Sequence, residues 1–206
     1  MSTTRAAQLI ASLNPLRTEQ PRDMIRQFTP NWFAATMGTG VLALILPQVP
    51  DVGPTLRPIG EWLWLFNIGL FLFFSMLYSA RWVIFWHEAK QIFSHNVVSM
   101  FIGTIPMGLA TIINGFLLFG VPRWGLGMVA VAQVLWWIDV AMSLGCGVLL
   151  PYFMFTRQEH HIDKMTAVWL LPIVAAEVAA ASGGQLAPFL TNPNEQFGML
   201  ITSYVL

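Results

Sequence analysis

Two acids stand alone in long uncharged stretches: Asp139 within Gly125 to Leu150, and Glu177 within Thr166 to Leu186. No Lys or Arg falls at a matching depth, so each carboxyl must be protonated, face water or pair with a base elsewhere. Such an acid can carry a proton or serve as a buried structural partner. A carboxylate lining a route for anions would repel the cargo, so beside an anion Glu177 reads as a proton acceptor or a structural partner. Helix breakers and small polar residues mark the same kind of stretch. Gly38, Thr39 and Gly40 interrupt one, Thr104 and Pro106 another, and Pro172 precedes Glu177 by just over one helical turn. Proline removes the bond to the carbonyl four residues earlier, which would free the carbonyls of Ile102 and Val168. Freed carbonyls and hydroxyls can offer an ion weak polar contacts. The same small residues also permit close helix packing, and both readings stand at this point.

Other patterns carry less. Gly125-Leu-Gly127-Met-Val-Ala130 fits a dinucleotide fingerprint by letter, but no strand precedes it. His87-Glu88-Ala89-Lys90-Gln91 opens like a zinc-protease helix and lacks the second His. His160, His161 and Asp163 read as a solvated loop, and His95 as an interfacial polar cap. A single cysteine, Cys146, excludes an intrachain disulfide framework and any multi-thiolate metal site. With no paired carboxylates, activated serine or phosphate loop, the chain is not expected to be an enzyme or to hold a metal or a cofactor.

The elements that position these residues follow from composition. Of 206 residues, 56% are hydrophobic and only 10% are charged, against about 25% charged in a soluble domain. That charge cannot wet the surface of a soluble fold this size. The formal net charge of +0 offers no footprint for nucleic acid. The expected fold is all-α, a polytopic membrane protein whose first partner is the lipid bilayer. Uncharged stretches place spans at about 28–46, 62–84, 97–119, 125–150 and 166–187, with a sixth beginning at 196, all in a membrane domain 28–206 behind a polar lead 1–27. The lead has no short apolar core and is not read as a signal peptide. Arg5, Arg17, Arg22, Arg26, Arg81, Lys90, Arg157 and Lys164 fall on one side of these spans, and Arg57 and Arg123 on the other. The positive-inside rule then puts the N-terminus in the cytoplasm, in a plasma or inner membrane. Trp32, Trp62, Trp64, Trp82, Trp86, Trp124 and Trp169 lie near predicted span ends, as an aromatic belt would. Odd spans carry the breakers. Even spans are bulkier, and span four is expected to stop near Pro151.

Asn31-Trp32-Phe33-Ala34-Ala35-Thr36-Met37-Gly38-Thr39-Gly40 resembles the first span of the tellurite-resistance/dicarboxylate transporter family, which includes malate permeases, sulfite efflux pumps and slow anion channels. Ser94-His95-Asn96, Pro106-Met107-Gly108, Thr111-Ile112-Ile113-Asn114 and Thr166 through Glu177 extend the likeness. The resemblance implies five helical hairpins in quasi-fivefold order, odd helices lining a central pore, even helices outside, and a homotrimer. It implies that this chain is the N-terminal half, ending within a sixth span, with the pore-occluding Phe in the other half. The expected function is transport of a small anion, sulfite or a C4-dicarboxylate such as malate. Gly38, Thr39, Gly40, Thr104, Pro106, Pro172 and Glu177 are the candidate pathway residues. The alternative is a membrane scaffold or sensor that transports nothing.

Overall fold

The computed structural model describes residues 21–158 and 166–206. The expectations for Arg5, Arg17, His160, His161, Asp163 and Lys164 lie outside these residues. Among the described residues every regular element is helical, and the protein is an all-α, polytopic membrane protein. A short helix α1 (Pro21–Gln27) is followed by a 3-10 turn, Pro30–Trp32. Next come α2 (Phe33–Ile45), a second turn Leu46–Gln48, and the long α3 (Gly53–Ile84). A connector holds α4 (Trp86–Ala89) and the turn Lys90–Ser94. The third span is composite: a 3-10 stretch Val98–Gly103, α5 (Thr104–Gly115), a π-helical turn Phe116–Gly120 and α6 (Val121–Trp124). After α7 (Gly127–Thr156) come the turn Ala167–Leu170, α8 (Leu171–Leu186), the turn Ala187–Phe189 and α9 (Pro193–Val205).

Four of these segments are long and apolar enough to cross a membrane: Gly53–Ile84, Val98–Trp124, Gly127–Thr156 and Ala167–Phe189. The 13 residues of α2 cover only ~20 Å of a ~30 Å hydrocarbon core, and the 3-10 turns at both ends continue its path. The helices also outrun the apolar stretches. α3 begins at Gly53 and runs through Pro58, so Arg57 and Glu61 are helical. α7 does not stop at Pro151 but continues to Thr156. Proline costs one backbone bond, and near the end of a long, well-packed helix that loss is tolerated.

Odd and even spans differ in construction. α3 and α7 are single uninterrupted helices, whereas the odd spans pass through 3-10 or π turns with a proline near each end: Pro30 and Pro47, Pro106 and Pro122, Pro172 and Pro188. Pro106 and Pro172 lie in the first turn of α5 and α8, where a backbone N–H has no acceptor within its own α-helix. The expectation of freed carbonyls is corrected here. The Ile102 carbonyl lies against Thr104 N–H, which it shares with the Phe101 carbonyl, and that of Val168 accepts from Leu171 N–H, so neither is left free where the 3-10 turns meet the α-helices.

The third span sits at the centre, with 67% of its apolar window buried against 17% for α3. α5 packs on α2 at one side and α8 at the other, while α3 backs the first pair and α7 the second. Small residues set these distances. A Cβ on Gly40 would lie 1.9 Å from Thr111 Oγ1, and one on Gly108 would lie 2.5 Å from Thr36 Oγ1. One on Gly103 would lie 2.7 Å from the Leu171 carbonyl oxygen. Each even helix is pinned by a buried tryptophan. Trp64 Nε1 donates to the Ile112 carbonyl and Trp136 Nε1 to that of Ala179. Trp64 is therefore not an interfacial belt residue; it is fully buried, with its indole N–H satisfied by the neighbouring span. Three residues past each tryptophan comes a fully buried polar side chain, Asn67 on α3 and Asp139 on α7. The same device thus recurs in both hairpins.

Candidate functional site

The seven expected pathway residues do not form one cluster. Gly38 is exposed, and no atom lies within 4 Å of where its Cβ would be. Thr39 is half-buried, while Gly40 is buried at the contact with Thr111 and Asn67. Thr104 is buried, and its hydroxyl lies within hydrogen-bond distance of the carbonyls of Phe101 (2.7 Å) and Pro30 (3.1 Å). It thereby ties the third span to the start of the first. Pro172 is buried against Gly103, so Pro30, Thr104 and Pro172 mark a level where three odd spans meet. Pro106 turns to α7, where it lines an apolar hollow with Met142 and Cys146. Glu177 is exposed on α8, in a shallow recess with Ser143, Gly147 and Leu206. Asp139 lies in the seam of α7 with its neighbours, and among the described residues neither carboxyl oxygen has a hydrogen-bond partner. Asn67, its counterpart, donates from Nδ2 to Thr111 Oγ1 at 3.2 Å.

The feature that gathers the odd spans is a cavity of about 710 Å³ at their C-terminal ends. Leu44 and Gln48 come from the first span, Asn114, Leu117, Leu118, Val121 and Pro122 from the third, and Gln185 and Phe189 from the fifth. Arg57 completes the wall from the start of α3. Its Nη2 donates to the Leu118 carbonyl at 2.8 Å, and its guanidinium carbon lies 5.6 Å from the centre of the Phe119 ring. In a regular α-helix the donor to that carbonyl would be the N–H of residue 122, which here is proline. Arg57 supplies a donor to that carbonyl from another span. Gln48 Nε2 donates to its own helix at Leu44 O, 2.8 Å away.

Gln48 and Gln185 drew no notice in the sequence, Asn114 counted only as part of the third span's polar run, and Arg57 only towards the charge asymmetry of the loops. Arg57 precedes the apolar run that begins at Trp62, so it looked like a loop cation. Gln48 and Gln185 stand near the C-terminal ends of two spans. The signal that could have found them is the terminal proline shared by all three odd spans: Pro47 adjoins Gln48, Pro122 follows Leu118 by four residues, and Pro188 follows Gln185 by three.

At the opposite end of the bundle, Arg26 Nε donates to Glu88 Oε2 at 2.7 Å, and Arg81 donates to the carbonyl of Phe28. These contacts hold α1 beneath α3. The hydrogen bond from Arg26 draws the Glu88 carboxyl below its ordinary pKa, and the same pairing raises that of Arg26. Among the described residues no group of three or more His, Cys, Asp or Glu side chains is disposed to hold a metal ion.

Residues 27–206 match the family described as voltage-dependent anion channel. A sulfite efflux pump of Arthroderma otae is 38% identical over 182 residues, covering 88% of this chain and 48% of that protein. The malic acid transport protein of Schizosaccharomyces pombe is 27% identical over 182 residues, 88% of this chain and 41% of the relative. An uncharacterized transporter of Methanocaldococcus jannaschii is 27% identical over 192 residues, 90% of this chain and 52% of its own length. The chain spans about half the length of the curated relatives it matches. No solved structure matches it.

Proposed function

The chain belongs to the voltage-dependent anion channel family, and from that premise we propose that it forms part of a conduit for small anions, sulfite or a C4-dicarboxylate such as malate, that runs along the odd spans. The observation that carries this reading is the cavity where the first, third and fifth spans converge, with Arg57 the sole charged residue in its lining among the described residues. Three carboxamides and one cation supply weak hydrogen-bond donors, with one N–H of Gln48 and one of Arg57 already used within the protein. Such a lining offsets part of an anion's dehydration cost without holding it, as conduction requires. In this reading Gly40, Thr104 and Pro172 set how closely the odd spans approach, and Gly38 and Thr39 leave α2 slim along the route. Pro106 packs the third span against α7, and Glu177 stays exposed on the fifth beside α7.

The protein transports and does not catalyse. Its N-terminus and α1 lie on the cytoplasmic side of a plasma or inner membrane, which places the cavity at the outer face. The complete protein works as a homotrimer with one pathway per subunit. The sulfite pump and the malic acid transporter among the relatives support the choice of substrates. The test is efflux from proteoliposomes containing the full-length protein. Flux of sulfite or malate above that of empty vesicles is the expected result. Equal flux in both, for chloride and nitrate as well, would leave the scaffold reading in its place.

A further inference from the structure

Resting on the conduction reading above, we infer that Arg57 makes the cavity at the C-terminal ends of the odd spans an anion-collecting site, which concentrates small anions, divalent ones most, before they pass between the helices. Of the described residues that line the cavity only Arg57 is charged, and a guanidinium keeps its charge at every physiological pH. No acid among the described residues pairs with it. The acids on this face lie outside the cavity lining. Glu61 pairs with Arg123, Glu195 accepts from Gln133 and Asn192, and Asp51 sits in the turn between α2 and α3 at a φ of 66°. Arg57 is therefore the charge nearest an ion inside a low-dielectric mouth, where field lines are focused.

The residue is also fixed in place. Pro122 leaves the Leu118 carbonyl without an α-helical donor, Arg57 supplies one at 2.8 Å, and the Phe119 ring lies beside its guanidinium. One of its five N–H donors is used in that bond, and the cavity lies within reach of the rest of the fork. Across the cavity Gln48, Asn114 and Gln185 bring carboxamides, which can donate to an anion and add no charge. A single fixed cation facing neutral donors suits small anions passing through, and it lacks the second cation that would trap a dianion.

The experiment measures chloride and malate flux from low to high anion concentration in proteoliposomes of the full-length protein, for wild type and three variants. Arg57→Gln should lower flux at low concentration and ionic strength by about threefold for chloride and about tenfold for malate, because local enrichment scales exponentially with ionic charge. Both losses should shrink as an impermeant salt is added. Arg57→Gln with Gln185→Arg moves the cation across the cavity and should restore the malate flux. Gln185→Glu leaves the Arg57–Leu118 bond alone and should depress malate more than chloride, which keeps the inference testable if Arg57→Gln fails to fold. Unchanged flux in Arg57→Gln or Gln185→Glu, beside a conducting wild type, overturns the collecting site alone. So does an equal loss for both anions that the second cation does not rescue, since that pattern marks a purely structural arginine. A wild type that conducts nothing overturns the conduction reading and this inference together.

Discussion

At Asp139 the chain buries a carboxyl completely and gives neither oxygen a partner among the described residues. A group left in this state is costly: about 1–3 kcal/mol for an unsatisfied polar atom, more if charged. The other hairpin shows the cheaper solution, because Asn67 three residues after Trp64 finds Thr111. Replacing Asp139 by Asn keeps the shape and removes the ionisable group. The expected outcome is a thermal midpoint equal to or above that of wild type in detergent, and a fall of several degrees would contradict the unpartnered seam. The glycines separate in the same way. Gly40→Ala forces a methyl to 1.9 Å from Thr111 Oγ1 and 2.5 Å from its Cβ, and should cost about 1–3 kcal/mol by overpacking. Gly38→Ala meets nothing and should be neutral or gain up to about 1 kcal/mol from helix propensity. Denaturation of the two variants side by side checks both. From sequence these glycines were indistinguishable members of one Gly-Thr-Gly run; only the packing partner tells a spacer from an open surface.

α1 is held to the bundle by two arginine contacts, and one of them titrates. Glu88 has its pKa lowered in the folded state by the hydrogen bond from Arg26. A carboxylate lowered on folding contributes above its unfolded pKa, and that contribution is lost as pH falls through the folded one. The Arg26–Glu88 tether is therefore intact at neutral pH and fails only in acid. Hydrogen exchange should show α1 amides protected at pH 7 and losing protection below the ordinary carboxylate range, while Glu88→Gln should show the acid-like protection factors already at pH 7. Protection unchanged in that variant would mean that Arg81 and apolar packing suffice. The elements themselves were legible to different degrees. Apolar length gave the four long spans directly, because a bilayer demands it. The ends were not legible. Glu61 and Pro151 suggested boundaries, yet α3 begins at Gly53 and α7 runs on to Thr156, and each helix passes through a proline because supporting neighbours override a single lost bond. The prolines of the odd spans suggested mid-span kinks, yet they sit where 3-10 turns hand over to α-helix.

For the whole molecule, the contrast between bent odd spans and unbroken even ones has a structural counterpart: α5 lies centrally between α2 and α8, with α3 and α7 behind. The cavity at their ends was not legible, because its wall is drawn from four separated stretches and its cation comes from outside any apolar run. The central claim is that anions travel along the face where the odd spans converge. Its most direct test is thiol accessibility during transport by the full-length protein. In a Cys146→Ala background, cysteine is placed singly at Leu44 or Gln185 in the cavity wall, and at Leu72 or Val134, exposed on α3 and α7. A membrane-impermeant anionic thiol reagent should block flux in the first pair and leave the second pair conducting. Block at Leu72 or Val134, with Leu44 and Gln185 indifferent to the reagent, would contradict the account.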